Sequence, residues 1–182
     1  MITIRQERSA DVAAREALLD VAYGPDRFRK PSQRLCAGRK PAAGLSLIAT
    51  EDSQIIGTVR LWEVTAGPAR LLLLGPLAVH PGRRQRGIGA ALMRRALNEA
   101  ARRRHSAVLL VGDAAYYGRF GFAATSTGAL WLPGLDTPHR LLGCELIPGA
   151  LDGVRGIVRT PERKGRAAAI ATGQLLPAPQ AA

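Results

Sequence analysis

Cysteine, acidic residues and aromatics are all scarce in this chain, and each shortage excludes something. Its two cysteines, Cys36 and Cys144, stand far apart and in no C-x-x-C arrangement, so neither a disulfide framework nor a redox pair is indicated. Aromatic residues make up 4% of the 182 residues and do not interleave with the basic clusters, which argues against a stacking platform for single-stranded nucleic acid. His80, His105 and His139 have no metal-ligand spacing with acidic or cysteine residues, and no metal is expected. No apolar run approaches the ~18 residues of a membrane span, and Met1–Glu7 lacks the apolar stretch of a signal peptide, so a cytoplasmic address is expected.

What is abundant is arginine. Asp and Glu number 14 against 26 Lys and Arg, a formal charge of +12 that favours anionic ligands or surfaces. Apolar residues reach 47%, enough for one ordinary domain, and with few aromatics its core must rest on Leu, Val, Ile and Ala.

The most informative stretch is Leu77 to Gly89, which sets Arg83, Arg84 and Arg86 with Gly87 and Gly89 where a helix begins, with no acidic residue among them. A helix start carries unpaired N–H groups and partial positive charge, so arginines belong there only if an anion joins them. Before it, Ala69–Val79 is apolar and broken by Gly75-Pro76, a buried strand with a bulge or kink. After it, Ile88, Leu92, Met93, Ala96, Leu97 and Ala100 recur at helical spacing, and Ala107–Gly112 reads as a second buried strand. Strand, basic glycine turn, helix and strand make a βαβ unit with parallel strands.

Elsewhere, Ile2 and Ile4 suggest an edge strand, and Ser9 or Asp11 a cap for a helix bearing Val12, Leu18, Leu19 and Ala22 that Gly24-Pro25 stops. Leu45–Thr50 and Ile55–Val64 predict an antiparallel pair leading into the kinked strand. A short helix is expected around Ser32–Cys36, another over Ala115–Phe120, and two further strands near Ala123–Leu130 and Leu141–Ile147. The fold class is α/β, a mixed central sheet with helices on both faces. Residues 1–160 form the domain, and residues 161–182, rich in Pro, Ala and Gly, are expected to be a flexible tail.

Three motifs in order resemble the GNAT N-acetyltransferases: Leu77–Pro81 as an L-x-V-x-P strand end, Arg84–Gly89 as a pyrophosphate loop, and Tyr117–Phe122 as a Y-x-x-x-G-F signature. The closer likeness is to bacterial YhbS-like members, through Gly75–Val79 and Gly112–Phe122. The resemblance implies the GNAT fold with a splayed parallel strand pair, acetyl-CoA as acyl donor, and a small-molecule or protein amine as acceptor. It places Leu77, Ala78 and Val79 at the cofactor, with Val79 pairing with the pantetheine arm and the Leu77 N–H facing the thioester carbonyl, and assigns the amides of Arg84, Gln85, Arg86, Gly87, Ile88 and Gly89 to the pyrophosphate, with Arg83, Arg84 and Arg86 adding charge. It makes Tyr117 the general acid, the stretch from Asp26 to Gly44 a wall of the acceptor site, and a homodimer a common outcome. Histone-acetylating members carry Glu where this chain has Leu73, so a histone-type base is missing; Glu63, Asp113 and Glu145 are the alternatives. Trp62 and Trp131 either line the acceptor pocket or pack in the core. Two other classes stand beside this reading: a basic nucleic-acid-binding protein, the less favoured, and a CoA-binding module without turnover.

Overall fold

The computed structural model describes residues 1–161, and the expectation for residues 161–182 lies almost wholly outside them. Strand β1 (Ile2–Gln6) is followed by helix α1 (Val12–Tyr23), helix α2 (Pro31–Cys36), and strands β2 (Ser46–Glu51), β3 (Gln54–Ala66) and β4 (Ala69–Val79). Then come α3 (Ile88–Arg102), β5 (Ala107–Val111), α4 (Ala114–Tyr117), β6 (Leu130–Trp131), β7 (Leu141–Glu145) and β8 (Gly156–Arg159). The main sheet runs β1-β2-β3-β4-β5-β7 and is antiparallel except for β4 and β5.

Period-two alternation divides the sheet residues between two cores. On one face Leu47, Ala49, Val59, Leu61, Leu72, Leu74, Val108 and Leu110 pack against Ile88, Leu92, Met93, Ala96 and Ala100 of α3. The other face buries Trp62, Val64, Leu71, Leu73 and Leu109 beneath Cys36 of α2, Leu132 and Leu151, while α1 packs on β3 and β4. Helices therefore cover both faces, and the helical face predicted for α3 is the buried one. Both cysteines are buried free thiols.

The departures from expectation are local. Asp11 stands at the N-cap position of α1 but makes no cap bond, because its carboxylate accepts from the Arg8 amide and from Arg5. The strand expected over Ala123–Leu130 shrinks to a single bridge, Ala123 with Gly143, and the two residues of β6, because β8 supplies the partner that β6 takes. Strand β8, which also pairs with the end of β3, was not anticipated from the Gly- and Arg-rich segment that contains it.

Leu92 is fully buried between α3 and the sheet. Leu92→Ala should lower unfolding stability by about 2–5 kcal/mol, read from the urea midpoint at unchanged slope.

Candidate active site

The site forms where two parallel strands part. Only Leu72 with Val108 and Leu73 with Leu109 are paired between β4 and β5, yet β4 continues from Leu74 to Val79. Opposite Arg60 the register with β3 shifts, so Gly75 and Pro76 form the expected bulge, and the indole N–H of Trp62 donates to the Gly75 carbonyl at 2.5 Å. Trp62 is thus a buried brace for the bulge, whereas Trp131 is 67% exposed on β6, away from the cleft and outside the core.

Past the bulge, the strand's polar groups alternate between its two edges. The His80 amide donates to the Ile56 carbonyl, which directs His80 and Ala78 toward β3 and leaves the N–H and C=O of Leu77 and Val79 on the open edge. Ala78 therefore differs from its neighbours: its main-chain groups serve the pairing with β3, and its side chain is buried. One outward group is occupied, since the Tyr23 hydroxyl donates to the Leu77 carbonyl.

Strand β4 leads into the basic turn. Gln85 (φ 63°) and Gly87 (φ 73°) are both left-handed, a conformation that a residue with a Cβ adopts at a cost and glycine does not. Such alternation turns successive amides toward one point. The first helical bond at the start of α3 runs from the Ala91 amide to the Gly87 carbonyl. Among the described residues, the amides from Gln85 to Ala90 donate to no protein acceptor. Ile88 contributes only its amide, for its side chain lies in the core. A methyl group on Gly89 would meet Val79 at 3.5 Å and the Tyr116 hydroxyl at 3.8 Å, so the loop, the strand edge and α4 converge here.

The arginines are not equivalent. Glu51, the last residue of β2, accepts from Arg83 Nε at 2.8 Å and from the Arg86 guanidinium at 2.8 and 3.1 Å. The acidic partner missing from the local sequence thus arrives from across the sheet, and only Arg84 of the three carries a charge free of any carboxylate among the described residues. Arg86 and Arg83 hydrogen-bond Glu51 and hold its carboxyl down to about 2.

On the far wall, α4 starts at Asp113, whose carboxylate accepts the Ala115 amide at 2.9 Å. Tyr117 reaches back across Gly112, where an added methyl would fall 2.2 Å from the tyrosine ring, and packs edge-on against Tyr116 and Phe122. Tyr117, Tyr23, Leu77, Pro76 and Val111 line one cavity of about 80 Å³, and among the described residues no acceptor is bonded to the Tyr117 hydroxyl. Burial pushes the Tyr117 phenol above its usual range, and likewise drives that of Tyr23 up to about 12. All three tyrosines of the chain are therefore gathered at this cleft.

The site thus sets a run of amides that lack protein acceptors, among the described residues, beside a strand edge that β5 leaves unpaired. Comparison with known proteins shows the family. The Acetyltransferase (GNAT) domain family matches residues 42–124. The uncharacterized N-acetyltransferase YhbS of Escherichia coli strain K12 is 34% identical over 128 residues, spanning 67% of this chain and 75% of YhbS. The chain belongs to the GNAT family of acetyltransferases. Among GNAT structures, that of YhbS from Escherichia coli in complex with CoA superposes with a TM-score of 0.75 at 30% identity, covering 88% of this chain and 90% of YhbS. A GNAT acetyltransferase from Brucella melitensis, in complex with acetyl-CoA, gives 0.68 at 28% identity, covering 88% and 96% of the two chains.

None of the three carboxylates considered as a GNAT base stands free in the cleft. Glu145 accepts the Gly149 and Leu151 amides and ties down the loop after β7, Asp113 caps α4, and Glu63 is exposed on β3. Sequence reasoning missed Tyr23, Glu51 and Arg140, and placed Lys30 only within the expected acceptor wall from Asp26 to Gly44. For Tyr23 a signal existed, a rare tyrosine placed just before the Gly24-Pro25 helix stop; the others depend on contacts between distant segments. Among the described residues no cluster of three or more His, Cys, Asp or Glu could hold a metal, and no helix is long and apolar enough to cross a membrane.

A carboxyl lowered in the folded state contributes stability that is present above its unfolded pKa and lost as pH falls through the folded one. Glu51 should therefore titrate near 2 by carboxyl NMR, and its stabilising effect, absent in Glu51→Gln, should fade as pH drops from about 4.5 toward 2.

Proposed function

We propose that the protein transfers the acetyl group of acetyl-CoA to a primary amine by direct attack, with Tyr117 as general acid. The observation that carries this reading is the run of amides without acceptors, Gln85 to Ala90, set beside the open edge of Leu77 and Val79. A diphosphate supplies the acceptors those amides lack, at a helix start that already favours negative charge. Arg84, free of a carboxylate, adds the counter-charge, while Arg83 and Arg86 remain braced on Glu51. The amide-bearing pantetheine arm completes the ladder of β4 by pairing with Val79, and the outward N–H of Leu77 faces the thioester carbonyl.

Acetyl-CoA supplies an activated acyl group; the protein supplies alignment and a proton. Of the two phenols in the cavity, Tyr23 already donates to Leu77, while Tyr117 has its proton uncommitted. With a phenol near 10 and a thiol near 8.5, donation to a free thiolate is uphill by about 2 kcal/mol, and burial of Tyr117 adds to that. The proton therefore moves as the C–S bond breaks, when the sulfur is held against the phenol. The raised pKa also keeps Tyr117 in its acid form throughout neutral pH.

Acetyl-CoA at ~100 times its Kd should raise stability by about 2.7 kcal/mol, seen as a higher Tm, and an unchanged Tm at millimolar ligand would refute the assignment. Tyr117→Phe should lower kcat by about 10²–10⁴ with CoA affinity retained, whereas Tyr23→Phe should have the smaller effect on kcat. Equal turnover in Tyr117→Phe would reduce that residue to packing. Thiol release with any amine excludes a module that binds without turnover.

A further inference from the structure

The wall facing β5 across the cavity is built by the end of α1 and the segment through α2, and its uncommitted charge is all of one sign. Lys30 precedes α2, with its ammonium 3.9 Å from the centre of the Tyr23 ring. Arg140, immediately before β7, is outside the cavity lining but close enough that Lys30 and Tyr117 both feel its charge. Its Nε reaches the Gly112 carbonyl at 3.4 Å, beneath the Tyr117 ring. Among the described residues neither Lys30 nor Arg140 is paired with a carboxylate.

The acidic residues of this wall are spent elsewhere. Asp20 and Glu16 hold the buried guanidinium of Arg27, and Asp26 pairs with Arg29. Among the described residues no carboxylate lines the cavity, whose polar side chains besides Lys30 are the carboxylate-paired Arg27, Ser32, Gln33 and the two phenols. A simple alkylamine, protonated at neutral pH, meets like charge here, and a polyamine meets more of it.

Building on the acetyl transfer proposed above, we infer that the acceptor is an amine carrying its own anionic group, a carboxylate or a phosphate, which Lys30 and Arg140 hold while the amino nitrogen faces the thioester. Ser32 and Gln33 stand ready to donate to the same anion. The two cations also disfavour the ammonium form of the bound acceptor, so its extra proton passes to water without a carboxylate in the chamber. The neutral nitrogen then attacks the carbonyl carbon. The C–N bond forms, the C–S bond breaks, the thiolate takes the Tyr117 proton, and the proton shed by the nitrogen restores the phenol.

Matched amines test this: phosphoethanolamine against ethanolamine, β-alanine against propylamine, and putrescine as the cationic control. Acetylation is followed by thiol release, and binding by titration into protein saturated with CoA. At least one anionic amine should exceed its neutral match by tenfold or more in kcat/KM or in affinity, with phosphoethanolamine and β-alanine telling phosphate from carboxylate. In Lys30→Gln and Arg140→Gln that ratio should fall toward one, with the stabilisation by acetyl-CoA showing that the variants are folded. Equal or better use of the neutral amines or putrescine overturns the inference, as does failure of both anionic amines to react or bind while CoA binds. Failure of acetyl-CoA itself to bind overturns the acetyl-transfer assignment instead.

Discussion

A strand that outruns its neighbour leaves polar groups with nowhere to bond, and this deficit organises the whole site. Strand β4 loses β5 after Leu73 and continues to Val79 with one edge open. It then delivers the chain into a turn whose amides, from Gln85 onward, are equally without acceptors. Gln85, Arg86 and Gly87 face solvent, but Leu77, Val79 and Ile88 to Ala90 are buried or half-buried, where main-chain groups are rarely left in that state. The bulge at Gly75-Pro76, braced by Trp62, bends β4 away from β5, and α3 anchors the turn through a full core face. The rigid sheet thus holds two sets of unsatisfied groups in fixed relation, as a preformed receptor requires.

The large positive charge is less free than composition suggests. Arg15 and Arg60 share Glu7, which is itself held below its usual pKa; burial opposes this, but the bonds from Arg60 and Ser46 prevail. That cluster fastens α1 to the sheet, and so positions Tyr23 at the end of α1. Arg27, Arg83 and Arg86 are also committed to carboxylates, whereas among the described residues Arg84 at the turn, Lys30 in the cavity wall, Arg119 against Tyr116 and Arg140 beside Gly112 are not. The two proposed anion sites rest on these few free cations and not on the net charge.

Much of this was legible in the residues themselves. The βαβ unit, the kink at Gly75-Pro76 and the buried stripe of α3 follow from local periodicity and from the conformational demands of glycine and proline. The motifs for the turn and for Tyr117 lie within short contiguous segments. What was not legible depends on distant parts of the chain. Glu51 meets Arg83 and Arg86 only because β2 ends beside the turn, and Tyr23 meets Leu77 only because α1 crosses β4. Strand β8 is hidden in a segment whose glycines and arginines lack alternation, since its pairing is set by the end of β3 and by β6.

The central claim is that the strand edge and the turn are two halves of one receptor, and backbone amide shifts test it residue by residue. Titrated with CoA, the amides of Leu77, Val79 and the run from Gln85 to Ala90 should all move. Titrated with pantetheine, which lacks the diphosphate, only the strand-edge amides should respond. If CoA moves neither group, or leaves the amides from 85 to 90 unchanged while shifting others elsewhere, the turn is not an anion receptor and the account is wrong.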